Sequence, residues 1–163
     1  MTSRRFSPLS RGLLAGFALA CVLPGQIGQP LMVAPPGKIA APRGGTSTAK
    51  IAVQVRAGYH VNSNTPDDEY LIPLVLTWDS SLVEPRETVY PKPESQSFSF
   101  SPKPVSVYSG SFEIVTRFSV PAKAPLGPAV VAGRLRYQAC TNTMCLPPRT
   151  IDVKLPVEIR AQQ

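Results

Sequence analysis

The feature that most constrains the fold is a pair of cysteines, Cys140 and Cys145, between two segments whose patterns are typical of β-strands. Before the pair, residues 129–137 (AVVAGRLRY) are small and apolar and then alternate apolar with polar side chains. After it, residues 150–159 (TIDVKLPVEI) alternate throughout. Alternation with a period of two predicts strands with one buried face. The sequence therefore predicts an antiparallel hairpin with both cysteines at the connection between its strands.

Further segments with strand character recur along the chain, and turn-forming residues lie between them. These segments are residues 50–55, 70–78, 83–90, 105–108 and 111–120. The last two are predicted to pair with each other through a turn at Ser109 and Gly110. The sequence contains 19 prolines, which favour loops and edge strands over helices. About seven short strands without helical periodicity predict an all-β fold, an immunoglobulin-like antiparallel β-sandwich.

The first residues have the pattern of a secretory signal peptide, predicted over residues 1–20. Three arginines accompany an apolar run that is too short to cross a bilayer, and Ala18-Leu19-Ala20 is an Ala-x-Ala cleavage pattern. Cys21 follows directly and completes a partial lipidation motif, so it is a candidate lipid anchor. We therefore expect a periplasmic protein that is exported by its signal peptide.

The remainder divides into a predicted tether and a single domain. Residues 21–49 are rich in Pro, Gly, Ala, Ser and Thr and are predicted to be flexible. Residues 50–160 are predicted to form one folded domain. The formal net charge is +7, and because no basic block is present, no nucleic-acid partner is expected. The sequence contains no hydrolase motif, no phosphate-binding glycine loop and no zinc-ligand spacing, so no cofactor is expected.

The chemistry of the cysteine pair depends on the compartment. If Cys21 is removed or lipidated, Cys140 and Cys145 are the two cysteines left, and pairing is the default in an oxidising compartment. Closing so short a loop stabilises the folded state by only about 2 kcal/mol in the chain-entropy estimate, so the disulfide would add little to the stability of the domain. A disulfide at an exposed turn is also open to attack by a thiolate. The sequence therefore leaves two roles open for the pair, a redox role and a plain stabilising disulfide.

Two other interpretations stay open at this level. One is a structural or protein-binding β-sandwich with an inert disulfide. The other is a Cu(I)-binding module in which Cys140, Met144 and Cys145 supply the thiolate and thioether ligands that select this ion. If the protein exchanges disulfides, the pair should be accessible and should form a mixed disulfide. An inert bond predicts a very low reduction potential, and a copper module predicts metal binding only when the pair is reduced.

Several short motifs, in order along the chain, resemble one known family. They are residues 58–64 (GYHVNSN), 71–73 (LIP), 107–110 (VYSG), 137–140 (YQAC), Cys145 and residues 147–148 (PP). Together they are similar to the N-terminal periplasmic domain of the thiol:disulfide interchange protein DsbD. The resemblance implies an immunoglobulin-like fold in which a redox-active Cys140 and Cys145 pair passes electrons by thiol–disulfide exchange. It also implies a membrane-embedded transporter as donor and periplasmic thioredoxin-like or disulfide isomerase proteins as acceptors.

The same resemblance implies that the pair is shielded. In the family an aromatic cap loop covers the cysteines, which points here to Phe100, with Phe98 as the alternative. Groups that follow the Gly-Tyr turn lie beside the cysteines, which points to His60 and Asn62. A single histidine at the end of a strand is more often a surface or hydrogen-bonded residue than a catalytic one, and Asn62 is equally well explained as a turn residue.

Residues next to the pair are candidates for supporting roles. Tyr137 and Gln138 are predicted either to orient the strand that enters Cys140 or simply to pack within the sheet. Either cysteine is a candidate for the mixed disulfide, and the resemblance favours Cys145. No helix N-terminus is evident that would lower a thiol pKa. If the pair is active, we expect an electron carrier of protein-disulfide reductase type rather than a fast enzyme.

Overall fold

A computed structural model of the protein describes residues 28–79 and 81–162. The predicted signal peptide and Cys21 lie outside the described residues. Within them the regular structure consists of β-strands: β1 Leu31–Val33, β2 Ile39–Pro42, β3 Thr46–Val55, β4 His60–Asn62, β5 Val75–Trp78, β6 Glu84–Val89, β7 Glu94–Gln96, β8 Val105–Tyr108, β9 Ser111–Ser119, β10 Gly127–Tyr137, β11 Ala139–Cys140 and β12 Arg149–Arg160. This part of the chain contains no helix long and apolar enough to cross a membrane.

The strands form three sheets of four strands each. The first has the order β1-β3-β9-β6, the second β2-β12-β10-β5, and the third, which we call the site sheet, β11-β4-β8-β7. Paired strands are antiparallel except β2, which runs parallel to β12. The first two sheets share an apolar core and form what we call the main sandwich. This arrangement confirms the predicted all-β, immunoglobulin-like antiparallel β-sandwich.

The core of the main sandwich follows from the alternation of side chains along its strands. In β3 every second residue is buried, and Ile51, Val53 and Val55 enter one core cluster. Leu135 of β10 and Val153 of β12 contribute to the same cluster from the second sheet. Removing an aliphatic side chain of this size from water contributes about 1.5–3 kcal/mol. Because a one-residue slip would turn these side chains to the solvent, the alternation also sets the register.

The long hairpin predicted around the cysteines is confirmed by β10 and β12. Its register runs without interruption from Gly127 opposite Ile159 to Tyr137 opposite Arg149. Both strands are central in the second sheet, between β2 and β5. The chain leaves β10 at Tyr137 and enters β11 of the site sheet at Ala139. The hairpin therefore carries the cysteine segment from the main sandwich into the site sheet.

The prediction of a flexible tether over residues 21–49 is wrong from Leu31 onward. β1 and β2 lie in this segment, and β3 begins at Thr46. β1 pairs with β3, β2 pairs with β12, and Leu31, Ala41 and Ala49 are buried. Local composition misled the prediction because strand formation depends on neighbouring strands and on burial more than on intrinsic preference. The folded domain thus begins well before residue 50.

The predicted pairing of residues 105–108 with residues 111–120 is also wrong. β8 pairs with β4 and β7 in the site sheet, whereas β9 pairs with β3 and β6 in the first sheet. The favoured two-residue hairpin turns need a positive φ at the first central residue. Within the described chain only glycines have a positive φ, so Ser109 does not supply it. Gly110, with a φ of 62°, instead directs the chain from one sheet into another.

Candidate functional site

The two faces of the site sheet have different surroundings. Successive side chains of a strand point to opposite faces. Val61 of β4 and Ala139 of β11 lie opposite each other and join the core of the main sandwich. His60 and Cys140 are the next pair in this register and therefore share the other face. The alternation of β4 thus brings the only histidine of the chain beside the first cysteine.

Cys140 and Cys145 form a disulfide across a tight hairpin. They are 5 positions apart in sequence, and their Cα atoms are 3.9 Å apart. Two backbone hydrogen bonds flank the disulfide. The N–H of Thr141 donates to the carbonyl oxygen of Met144 at 2.8 Å, and the N–H of Leu146 donates to that of Ala139 at 2.8 Å. The predicted pairing of the two cysteines is therefore present, and the hairpin has backbone contacts that do not depend on the disulfide.

The two cysteines differ in their exposure to solvent. Cys140 is fully buried in β11. Cys145 is partly exposed in the segment that leads away from the turn. A thiolate from another protein must reach one of the two sulfurs to exchange, and access decides which one it attacks. Exposure therefore favours Cys145 as the point of attack.

The loop between β7 and β8, which we call the cap loop, covers the face that carries His60. The ring of Phe98 stacks on the imidazole of His60 with 4.0 Å between ring centroids and 16° between ring planes. Phe100 stacks on Phe98 at 5.2 Å, and its centroid is 6.2 Å from that of His60. Both phenylalanines pack against a small buried cluster formed by Leu71, Val105 and Val107.

One hydrogen bond joins the cap loop to the cysteine hairpin. The hydroxyl of Ser99 donates to the carbonyl oxygen of Asn142, in the turn between the cysteines, at 3.1 Å. The structure therefore brings the cap loop, His60 and the hairpin together. The direct contact with His60 is made by Phe98, the alternative expectation, while Phe100 lies one ring further away.

His60 is buried and uncharged. Its exposed fraction is 3%, and its Nε2 atom has no hydrogen-bond partner. Burial lowers the pKa of the imidazole because the charged ring would lose its hydration. The ring is therefore neutral at pH 7. A neutral ring beside the pair does not lower a thiol pKa as a neighbouring cation would.

Asn62 and Gln138 form the centre of a hydrogen-bond network next to the cysteine hairpin. Asn62 is fully buried, and its Nδ2 atom donates to Gln138 Oε1 at 3.1 Å and to the carbonyl oxygen of Ile72 at 3.0 Å. Gln138 Oε1 also accepts from the backbone N–H of Ile72 at 3.2 Å. Gln138 Nε2 donates to the carbonyl oxygen of Leu146 at 3.2 Å. The network links β4, the loop before β5 and the residue that follows Cys145.

Tyr137 lies in the main sandwich rather than in this network. It is 1% exposed and belongs to the same core cluster as Val61 and Ala139. Burial raises the pKa of its phenol, because the charged form would be desolvated. Its position therefore fits packing at the end of β10, one of the two roles expected for it.

Three buried side-chain polar atoms lack a hydrogen-bond partner within the described residues, and they are His60 Nε2, Asn62 Oδ1 and Tyr137 Oη. All three residues were predicted to support the cysteines. Leaving a buried polar group unpaired costs about 1–3 kcal/mol, and native structures keep such groups rare.

The Cu(I) interpretation concerns the reduced pair and stays a prediction, because the structure describes the oxidised pair. Met144 is 58% exposed at the turn, and the two cysteines are bonded to each other. A disulfide offers no thiolate ligand until it is reduced. In the part of the chain that the structure describes, no three His, Cys, Asp or Glu side chains are grouped as a metal site.

Several contacts of the site were not predicted from the sequence. Ser99 bonds to the hairpin, and backbone groups of Ile72, Asn142 and Leu146 accept or donate in the site. A backbone N–H or C=O is present at nearly every residue, so its use in a site leaves no sequence signal. For Ser99 the one available signal was its position between the two phenylalanines.

The fold and the site together define a class of protein, an immunoglobulin-like β-sandwich with a disulfide in a hairpin at the edge of a small sheet. The sequence profile of the family described as "Thiol:disulfide interchange protein DsbD, N-terminal" matches residues 29–156. The chain belongs to this family, as the resemblance of its motifs predicted. The match begins before β1, in agreement with the early start of the folded domain.

Among solved structures, the N-terminal periplasmic domain of ScsB from Proteus mirabilis has a TM-score of 0.52 and 13% sequence identity to this chain. The match covers 77% of this chain and 44% of that chain, so this chain spans less than half of the ScsB structure. The seventh ScaB type I cohesin from Pseudobacteroides cellulosolvens has a TM-score of 0.47 and 13% identity, over 82% of this chain and 94% of that chain. At such identities the likeness to ScsB shows the fold alone. Comparison with curated proteins gives no match.

Proposed function

We propose that this protein is a periplasmic thiol–disulfide exchange module that passes electrons through Cys140 and Cys145. Its donor is a membrane-embedded thiol–disulfide transporter, and its acceptors are periplasmic thioredoxin-like or disulfide isomerase proteins. Membership of the DsbD N-terminal family supports exchange chemistry in general. The observation that carries the proposal is the disulfide in which a partly exposed Cys145 is bonded to a fully buried Cys140.

Electrons enter through two exchange steps. A thiolate of the donor attacks Cys145 Sγ, a disulfide forms between the donor and Cys145, and the bond to Cys140 breaks. Cys140 leaves as a thiolate. A second donor thiolate then attacks the donor sulfur of the mixed disulfide, which forms the donor disulfide and releases Cys145. Two electrons have moved, and both cysteines take protons from water to become thiols.

Electrons leave by the same steps in reverse. The Cys145 thiolate attacks the disulfide of an acceptor, and one acceptor sulfur leaves as a thiolate. Cys140, after loss of its proton, then attacks Cys145 Sγ. The internal disulfide forms again, and the second acceptor sulfur is released. Cys145 is thus the exchanging cysteine, and Cys140 resolves the mixed disulfide.

The surroundings of the pair fit a carrier rather than a fast catalyst. Phe98 and His60 form a stacked, uncharged cover on the face of the site sheet that Cys140 shares. We propose that this cover limits reaction with small thiols and yields when a partner protein docks. Asn62 and Gln138 support the hairpin from beneath, and Tyr137 packs the strand that leads to it.

Export completes the proposal. Residues 1–20 act as the signal peptide, and Cys21 is the point at which a lipid anchor is attached if the partial lipidation motif is used. The folded domain then begins near β1 rather than at residue 50. A periplasmic location is consistent with an oxidised pair.

The test is the reduction potential of the pair in a Cys21→Ser background, so that no third thiol interferes. The protein is purified from the periplasm, equilibrated in glutathione buffers and treated with a thiol-trapping reagent. We expect a potential between about −120 and −270 mV, the range of exchange proteins. A potential below about −300 mV is typical of a structural disulfide and would leave an inert binding sandwich as the better interpretation.

The direction of attack is tested with single-cysteine variants. Cys140→Ser keeps the accessible thiol and should accumulate a mixed disulfide with an oxidised periplasmic disulfide isomerase used as the probe. Cys145→Ser is the matched control and should accumulate much less, because its remaining thiol is buried. Equal trapping by the two variants, or more trapping by Cys145→Ser, would contradict the assignment.

A further inference from the structure

We propose that Gln138 is a positioning residue that holds Cys145 opposite Cys140 while the pair is reduced. This inference rests on the proposed exchange function and deepens it. The sequence predicted that Gln138 either orients the strand that enters Cys140 or packs within the sheet. The hydrogen bonds of the side chain indicate a further role, because they also fix the segment that follows Cys145.

The two sides of the hairpin are held unequally. Cys140 lies within β11, which pairs with β4 through residues His60 and Val61, and it is fully buried. Cys145 lies outside the named strands, and its isolated bridge to Cys140 consists of two backbone hydrogen bonds made by its neighbours Met144 and Leu146. When the disulfide opens, Cys140 keeps its strand pairing, whereas Cys145 loses its covalent anchor. The position of Cys145 then depends on the contacts of its neighbours.

Gln138 supplies such a contact, and its own side-chain amide is held in place by other residues. Its Oε1 atom accepts from Asn62 Nδ2 at 3.1 Å and from the Ile72 N–H at 3.2 Å, so the amide plane is set by two donors in other segments. With the oxygen fixed, Nε2 points to the carbonyl oxygen of Leu146 at 3.2 Å. Leu146 directly follows Cys145. The side chain thus ties the exit of the hairpin to β4 and to the loop before β5.

This tie matters for the step that closes the disulfide. Cys140 attacks Cys145 Sγ, the internal bond forms, the bond from Cys145 to the partner sulfur breaks, and the partner leaves as a thiolate that takes a proton from water. The equilibrium for closure depends on how often the two sulfurs meet in the open form, since ordering them beforehand removes entropy that closure would otherwise cost. Gln138 therefore favours the disulfide over the dithiol.

The experiment compares Gln138→Met with Gln138→Glu. Methionine has a similar length and makes none of the three hydrogen bonds. Ionised glutamate keeps an oxygen that accepts from Asn62 and Ile72 but has no donor for Leu146 O. The matched control is Gln54→Met on β3, which removes a bond of the same kind, from Gln54 Nε2 to Val55 O at 3.0 Å, together with the bond that Ser111 Oγ donates to Gln54 Oε1. Potentials are measured at pH 6.5, where thiols are protonated and an added carboxylate has little effect on them.

Both Gln138 variants should lower the equilibrium constant for disulfide formation against glutathione by about threefold to tenfold, the effect of one typical hydrogen bond. A tenfold change corresponds to about 30 mV toward a more oxidising potential. Gln54→Met should leave the constant unchanged. Unfolding in urea is measured for the oxidised and reduced forms of each variant, and the oxidised form should lose more stability than the reduced form.

Two results would overturn the inference. If Gln138→Met destabilises both redox forms equally and leaves the potential unchanged, Gln138 is a structural brace. If Gln138→Glu keeps the wild-type potential, the bond to Leu146 does not position Cys145, and this holds even if Gln138→Met does not fold. The proposed exchange function is judged separately, by the absolute potential of the unmodified pair and by mixed-disulfide trapping, so the two failures are distinguishable.

Discussion

The main sandwich and the site sheet are built from the same kind of element but are stabilised differently. The central strands of the main sandwich, β3, β9, β10 and β12, are 9 to 12 residues long, and their buried side chains are almost all apolar. The site sheet has strands of 2 to 4 residues and a face with buried histidine, asparagine and cysteine. The contrast indicates that the main sandwich supplies most of the stability, while the site sheet holds the disulfide.

The first way to test this division is Phe118→Ala in the main sandwich. Phe118 is fully buried and packs edge-on against Trp78 with 5.3 Å between ring centroids. Loss of the ring leaves a cavity, so we expect a decrease of about 3–5 kcal/mol in the free energy of unfolding, measured with urea. The reduction potential of the pair should not change. A shift in potential would show that the two regions are not separable.

A second test adds volume to the same region. A Cβ atom on Gly133 would lie 2.6 Å from Cε3 of Trp78, so the indole would have to move. Gly133→Ala should therefore destabilise the fold by about 1–3 kcal/mol in urea unfolding, as overpacking does. Gly37→Ala is the control, because a Cβ there meets nothing within 4 Å. Equal stability of the two variants would contradict the close packing of Trp78 on β10.

The third test uses pH and concerns the site sheet. Burial holds the pKa of His60 below 6.5, its ordinary value, so below pH 6.5 the unfolded chain binds a proton that the folded chain does not. Stability is therefore fully present above pH 6.5 and decreases as pH falls, by at most about 1.4 kcal/mol per unit. Urea unfolding at pH 7.5 and 5.5 should show a smaller decrease for His60→Gln. The same decrease in both proteins would mean that His60 is not shielded.

The smallest expected effect comes from the cap loop. Phe98→Ala removes the ring that stacks on His60, so the pair should be reduced by dithiothreitol about threefold to fivefold faster, which corresponds to less than about 1 kcal/mol. Phe100→Ala is the matched control, because this ring lies further from His60. We expect a smaller acceleration for it. A larger acceleration for Phe100→Ala would restore Phe100, the residue first expected from the sequence, as the principal shield.

The elements that the sequence predicted well are those with long, regular patterns. The alternation before and after the cysteines predicted β10 and β12, which pair through all eleven positions of β10. The errors fell on short or irregular segments. The predicted tether covers β1 and β2, which hold few large apolar residues and are stabilised by pairing with longer strands. The predicted hairpin turn at Ser109 and Gly110 is wrong because the strands that these residues join lie in different sheets.

The site was predicted in part. The two cysteines, His60, Asn62 and Gln138 were found through motifs, and the structure brings them together at one sheet. The choice between Phe98 and Phe100 depended on the path of the cap loop, which no periodic pattern describes. The partners of Gln138 include two backbone groups, which carry no sequence signal.

The sequence by itself determined that this chain forms an all-β sandwich with a closed cysteine hairpin, because side-chain alternation and short spacing are local properties. The tertiary structure decided which cysteine faces solvent, which ring covers His60 and where the Gln138 amide points. These features depend on contacts between segments far apart in the chain, such as residues 62 and 138. Their geometry is set by the packing of three sheets, and a linear pattern does not encode the distances between them.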